Sequence, residues 1–363
     1  MKAAVFADPA GPLVVEKLQL LPPSPGRFIV RTGATPFCAT DVMNARGLFG
    51  KVPPTILGHA STGVVEELGP GVTGLRIGDR VVVHGTAECG RCFYCGIGRP
   101  DQCDEIFGRP DGPPVVAARS DGEPVTAAGN VGGYAEFMCV SAAQVLPVAT
   151  DLPDEHLALL GCGVTTGLGA VFNVARVVPG TAVAVVGCGQ LGLWMVQAAR
   201  LAGAERIIAV EPLAARRETA ARLGATDLVD PGEADPVEQV RALTFGRGAD
   251  YALEAAGPAA AQTQALLMTR RAGTVVLTGV APLGTVVTVP QIEYAIHGRT
   301  VLGCQNGRVR MRRDIPAYVR MLEDDRLDAG PLITARYALE DINEALTASA
   351  DHNDLSGLVI PAL

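Results

Sequence analysis

Four cysteines, Cys89, Cys92, Cys95 and Cys103, form a C-x2-C-x2-C-x7-C array within 15 residues. Thiolates this close, on a glycine-containing loop, can converge tetrahedrally on one zinc ion, and a full set of four protein ligands leaves no position for a substrate. The array therefore reads as a structural metal site. An iron–sulfur cluster is the alternative, because the first three spacings suit one. No proline follows Cys103 and no second such run exists, which favours zinc. Three more donors lie far apart: Cys38 in Cys38-Ala39-Thr40-Asp41, His59 in Gly58-His59-Ala60, and Cys162 in Gly161-Cys162-Gly163. Singly, each is an ordinary candidate for a buried core residue. Together, two thiolates and an imidazole would hold a zinc ion with its fourth position open to substrate, the arrangement of a catalytic metal.

A third constellation binds phosphate. Residues 181–187 form an apolar run of strand length that leads into Gly187-Cys188-Gly189-Gln190-Leu191-Gly192 and then a helical stretch. An ordinary turn in an α/β sheet is the competing reading of a lone G-x-G-x-x-G. Here a second apolar run follows at 206–211 and ends in Glu211, 24 residues after Gly187. The glycines allow a tight turn, close approach to a pyrophosphate and close helix packing, while the acid suits two ribose hydroxyls and repels a 2'-phosphate. NAD is thus the expected cofactor and NADP the second choice. Arg216 keeps NADP open by its closeness to the ribose face, whereas Arg217 reads as part of a solvated helix face.

The elements that must hold these groups divide the chain. Short Val-rich runs at 2–6, 13–18, 27–31, 63–68 and 80–84, separated by Gly and Pro, predict a β-rich first domain over 1–153. Strands at 181–187, 206–211, 227–229, 250–254, 274–278 and 299–303 alternate with helices at 190–203, 213–223, 236–244 and 259–270, which predicts a doubly wound parallel sheet over 154–305. Asp154 is the expected N-cap of the helix before Cys162. Residues 306–363 are expected to return to the first domain. The fold class is α/β.

A chain of 363 residues, with 48% apolar and 19% charged residues, has ample core for two domains. A net charge of -8 and no basic run argue against nucleic acid and anionic membrane surfaces. No apolar run approaches the roughly 18 residues needed to span a bilayer, so a cytoplasmic protein is expected. Nine cysteines, an odd number with four clustered, fit metal binding better than disulfides.

With these motifs in place, nearly the whole chain resembles the zinc-dependent medium-chain alcohol dehydrogenases. The segment 160–169 and the long loop after Cys103 resemble in particular the glutathione-dependent formaldehyde dehydrogenase branch and its bacterial relatives. The resemblance implies a GroES-like catalytic domain with a Rossmann domain and two zinc ions per subunit. The catalytic zinc would lie on Cys38, His59 and Cys162, and the structural zinc on Cys89, Cys92, Cys95 and Cys103. It implies that Thr40 hydrogen-bonds the substrate oxygen, that Asp41 orients His59, and that Thr166 and Val280 lie near the nicotinamide beside Gly187, Gly189, Gln190, Leu191, Gly192 and Glu211. It also suggests a homodimer joined edge to edge near residues 299–305.

Several positions depart from the family pattern. Ala60 replaces the glutamate that usually follows the zinc-binding histidine, and Met43 replaces the histidine that passes the alcohol proton to solvent. Ala39 and Ser356 stand where positive charges often face the pyrophosphate. Gly85 replaces a bulky aromatic, so that with Phe49 as the opposite wall the pocket is expected to admit an aromatic or branched substrate. The expectation is an NAD-dependent zinc oxidoreductase acting on an alcohol or carbonyl. Its rivals are a reductase of C=C or C=N bonds with an altered zinc site, and a nucleotide-binding sensor with a degraded one. His84, His156, His297 and His352 read as structural or surface residues, and Cys139, Cys188 and Cys304 as buried apolar ones.

Overall fold

The computed structural model describes residues 1–9, 11–108 and 112–363. The connection expected after Cys103 includes residues 109–111, which lie outside that set. The chain forms two compact units. One comprises Met1–Cys162, Arg310–Asp325 and Leu332–Leu363, and the other Gly163–Val309 and Arg326–Pro331. Among the described residues, no helix is long and apolar enough to cross a membrane.

The first unit is built around the ten-residue strand Arg27–Pro36. Successive side chains of a strand point to opposite faces, and this strand serves two cores. Phe28 and Val30 pack with Val65, Val81, Val83 and Val140, while Ile29 joins Ala3, Val5, Ile56 and Val125. Each such buried Val, Ile or Phe side chain contributes roughly 1.5–3 kcal/mol relative to exposure. Arg27–Pro36 pairs antiparallel with Ser61–Leu68, Phe137–Ser141 and, from the far end of the chain, Ser356–Val359. That last pairing sets Leu358 and Val359 against Pro36 and Thr35, and Phe37 N–H donates to the Gly357 carbonyl at 2.8 Å. The C-terminal strand thus braces the segment that delivers Cys38.

The second unit holds a parallel sheet of six strands in the order Asp227–Val229, Arg206–Val210, Ala182–Val186, Ala249–Glu254, Thr269–Leu277, Thr300–Gly303. The order reverses between Ala182–Val186 and Ala249–Glu254, and ligands of such sheets bind beyond the carboxyl ends of the strands at that reversal. Ala184, Val186, Ile208, Val210, Ala252 and Val275 form its buried centre with Val240 and Leu266 from flanking helices.

Two local expectations need correction. The helix Asp154–Leu159 is capped by Pro153, not Asp154, whose carboxylate instead accepts from Arg80 at 2.6 Å. The helix Ala259–Met268 stops before residue 270 because Thr269, β-branched and turned back onto the Ala265 carbonyl at 2.7 Å, begins the next strand.

Candidate active site and metal centres

Cys38 caps the helix Ala39–Ala45 from an extended conformation (φ -135°, ψ 155°). Asp41, fully buried in the first turn of that helix, accepts the Cys38 N–H on Oδ2 at 3.2 Å and faces His59 Nδ1 with Oδ1 at 3.1 Å. His59 reaches this point because Gly58 adopts φ +84°, where a Cβ would stand 2.9 Å from the Tyr134 nitrogen, so only glycine fits. Thr35 and Ser61, hydroxyl to hydroxyl at 2.9 Å, tie the Cys38 strand to the His59 strand. Cys162 follows Gly161, where a Cβ would lie 2.6 Å from the Val83 carbonyl and 2.8 Å from the Ala60 Cβ. The small residues at 60 and 161 therefore let the Cys162 turn settle against the His59 strand.

The result is convergence. The ligand atoms of Cys38, His59 and Cys162 all lie within 4.8 Å of one another, with His59 Nε2 at 3.3 Å from Cys162 Sγ. Zn–S and Zn–N bonds of about 2.3 and 2.0–2.1 Å place tetrahedral ligand atoms roughly 3.5–3.8 Å apart, so this donor set fits zinc. The electrostatics agree. A hydrogen bond from Cys162 holds the Cys38 thiol well below its ordinary value against the opposing effect of burial, with His59 assisting. The same bond, together with burial, pushes Cys162 well above its own. Burial opposes a charged His59, yet Asp41 and Cys162 raise it well above the usual imidazole range. Three groups that share protons in this way exchange them for a dication when a metal binds.

The four-cysteine loop converges likewise. Cys89, Cys92, Cys95 and Cys103 bring their sulfurs together, with Cys89–Cys95 and Cys92–Cys103 both at 3.9 Å. These match tetrahedral S–S edges of roughly 3.8 Å. Cys92 caps the short helix Phe93–Gly96 and receives the Cys95 N–H at 3.5 Å. Burial works against its thiolate, but backbone N–H groups of Asp104 and Cys95 bring its pKa down to about 7.

In the second unit the Ala182–Val186 strand runs into Gly187 at φ +87°, and Gly189 caps the helix Gln190–Leu201. A Cβ at Gly192 would lie 1.9 Å from the Gly187 carbonyl oxygen, which makes the third glycine obligatory. Helix N–H groups around Gln190 and Leu191 are left for a phosphate. Glu211, buried, accepts from Cys188 N–H at 2.7 Å and Leu213 N–H at 3.0 Å and so ties the loop to the next strand. Arg216 lies against the loop, with Nη1 3.7 Å from the Cβ position of Gly189. Arg217 turns away to Asp230 at 2.8 Å. Thr166 is buried with an unpartnered hydroxyl in the helix Gly163–Gly169, and Val280 is half exposed after Gly279.

The remaining positions are less closely joined. Thr40 and Met43 are half-buried on the Ala39–Ala45 helix, Gly85 follows the strand Arg80–Val83 with its N–H on the Gly161 carbonyl at 3.0 Å, and Phe49 is half-buried in the next connection. His84 is fully buried, its Nδ1 accepting from Thr86 N–H at 3.2 Å, and burial takes its pKa down to about 4. Cys139, Cys188 and Cys304 are buried, as expected. Three residues escaped the sequence reading. Lys51 is half-buried and feels the Asp41 charge, while burial lowers its pKa. Tyr134 stacks on Phe37 at 4.8 Å under the same cluster. Glu254 holds Ala256 and Gly257 by their N–H groups at 2.8 and 2.6 Å beside the phosphate loop. Of these only Tyr134 had a signal, the Gly132-Gly133-Tyr134 turn before the apolar run that becomes the strand Phe137–Ser141.

Fold and donor sets together define a zinc-binding oxidoreductase built from a GroES-like unit and a dinucleotide-type sheet. The alcohol dehydrogenase GroES-like domain model matches residues 24–151 and the zinc-binding dehydrogenase model matches 191–324. An S-(hydroxymethyl)glutathione dehydrogenase of Synechocystis is 33% identical over 99% of both chains. A solved alcohol dehydrogenase zinc-binding domain protein from Burkholderia ambifaria superposes with a TM-score of 0.93 at 32% identity, covering 99% of this chain and 98% of that one. Benzyl alcohol dehydrogenase of Acinetobacter calcoaceticus does so at 0.91 and 30%, with the same coverage. The chain belongs to the zinc-dependent medium-chain alcohol dehydrogenase family, in its formaldehyde dehydrogenase branch.

Proposed function

We propose that this protein transfers a hydride between NAD(H) and a medium-sized alcohol or carbonyl compound, aromatic or branched, at a zinc centre formed by Cys38, His59 and Cys162. The convergence of those three ligand atoms carries the reading. When bound there, zinc supplies Lewis acidity, polarising the substrate C–O bond and lowering the pKa of an alcohol. The chain's own residues do the rest. Asp41 keeps the His59 ring oriented and its Nε2 available to the metal. Thr40, two residues beyond Cys38, accepts the alcohol proton on its hydroxyl. Met43 cannot carry that proton further, so Thr40 would hand it on toward solvent. In oxidation the alcohol thus yields a proton to solvent and a hydride to the nicotinamide, and reduction reverses both transfers.

Glu211 supports NAD over NADP, since a buried carboxylate at the ribose end repels a 2'-phosphate. Arg216 against the phosphate loop stands in for the positive charges missing at Ala39 and Ser356. Gly85 and Phe49 favour a ring-sized substrate, and the relatives' names make benzyl alcohol and S-(hydroxymethyl)glutathione the first two to try. The four-cysteine zinc is structural. We place a homodimer contact at the sheet edge Thr300–Gly303, where Val301 is exposed, and the protein in the cytoplasm. Steady-state turnover of benzyl alcohol, ethanol and S-(hydroxymethyl)glutathione with NAD+ and with NADP+ tests the reading. Faster NAD+ reduction with benzyl alcohol than with ethanol, abolished by Cys38→Ser, is expected. A fully zinc-loaded protein that oxidises none of them with either nucleotide would overturn it.

A further inference from the structure

A groove of about 510 Å³ opens on the second unit, lined by Glu238, Arg241, Arg247, Arg271, His297 and Arg299. It lies where the sheet strands begin, since Arg247 and Arg299 just precede Ala249–Glu254 and Thr300–Gly303, and Arg271 sits near the start of Thr269–Leu277. The phosphate loop, following Ala182–Val186, occupies the opposite end of the same sheet. In a chain of net charge -8, four guanidinium groups about one groove is a marked local excess.

Two of the four are fixed in place. Arg299, 8% exposed, donates from Nε to the Thr269 carbonyl at 2.8 Å and pairs with Glu293. Arg241 donates to the Leu267 carbonyl at 3.1 Å and pairs with Glu238 at 2.8 Å. Burial lowers the Arg299 pKa, and the charge of nearby Arg241 lowers it further, so these two guanidinium groups lie close enough to repel each other. The other two are exposed, and among the described residues neither has a carboxylate within ion-pair distance. Arg247 rests 5.7 Å over the ring of Phe245, which keeps a left-handed φ of 56° unusual for a bulky residue. Arg271 precedes Ala272, which is left-handed at φ 54° and donates its N–H to the His297 carbonyl at 2.8 Å. His297 Nδ1 faces Glu293 at 2.8 Å, which leaves its other edge toward the groove.

Guanidinium forks match phosphate and carboxylate oxygens in pairs. We infer that this groove binds a small multivalent oxyanion, with Arg241 and Arg299 as fixed anchors and Arg247 and Arg271 closing on the ligand. Neither the hydride-transfer site nor the pyrophosphate loop uses these residues, so the site is independent of the oxidoreductase reading. Inorganic pyrophosphate and citrate, each titrated calorimetrically into the zinc-loaded full chain at constant ionic strength, provide the test. Pyrophosphate also suits the Gly187–Gly192 loop, so the wild type should show two binding events and the Arg247→Gln/Arg271→Gln double variant one. The groove event should weaken about tenfold or more, while NADH binding and the circular dichroism spectrum stay unchanged. The double variant Arg312→Gln/Arg320→Gln, two other exposed arginines, controls for net charge. Binding of pyrophosphate alone at the groove assigns it to phosphate esters, and stronger binding of citrate assigns it to polycarboxylates. Identical isotherms for the wild type and the groove double variant, or equal weakening by Arg312→Gln/Arg320→Gln, would overturn the inference.

Discussion

Asp41 carries the orientation of the zinc triad, and Asp41→Asn isolates what its charge does. The side chain is fully buried and bridges the Cys38 N–H at 3.2 Å and His59 Nδ1 at 3.1 Å. Both partners donate when His59 offers Nε2 to a metal. An amide has one oxygen for two donors, so one bond is lost and an N–H faces another N–H. A hydrogen bond to a charged group contributes about 1.5–3 kcal/mol, which at about 1.4 kcal/mol per decade is roughly a ten- to hundredfold loss of zinc affinity, the range found for residues that orient metal ligands. The assay is zinc release to a chromophoric chelator. The four-cysteine zinc, which does not touch Asp41, serves as an internal standard. Two phases are expected, with only the weaker-held one accelerated in Asp41→Asn. Equal release from both proteins, or a change confined to the four-cysteine zinc, would refute the reasoning.

Other perturbations probe the remaining parts. Gly192→Ala would drive a Cβ to 1.9 Å from the Gly187 carbonyl, so NADH fluorescence titration should show binding lost; unchanged affinity would mean the loop is not the phosphate site. Glu211→Ser removes the carboxylate that repels a 2'-phosphate and should raise the kcat/KM ratio for NADP+ over NAD+ by about tenfold or more; an unchanged ratio would dismiss Glu211 as the discriminator. His84 is held neutral by burial, with a folded pKa of about 4 against 6.5 unfolded. Its contribution is complete above pH 6.5 and is lost as pH falls toward 4, on the order of 3 kcal/mol in all. Urea midpoints at pH 7 and pH 5 should therefore differ less in His84→Asn than in the wild type, and equal midpoint differences in the two proteins would contradict this.

Local signals in the chain foretold the parallel sheet and its loop closely, because a strand, three glycines and an acid at fixed offsets are all set by contacts within one β-α-β stretch. The four-cysteine loop was legible for the same reason. Cys38, His59 and Cys162, too far apart for spacing to join them, were grouped by donor type and local context alone. Their approach depends on Gly58 and Gly161 admitting backbone contacts from Tyr134 and Val83, and on a C-terminal strand pairing with Pro36. Asp154 misled as an N-cap because Arg80, remote in sequence, claims its carboxylate. The positions of Lys51 and Glu254 depend on what folds around them, which neither composition nor periodicity encodes.

Anomalous diffraction at the zinc edge from crystals of the fully loaded protein bears most directly on the proposed chemistry. Two peaks per subunit are expected, one within the Cys89–Cys103 loop and one bonded to Cys38 Sγ, His59 Nε2 and Cys162 Sγ at about 2.0–2.3 Å. A single peak in the four-cysteine loop, with the other three side chains turned apart, would contradict the account.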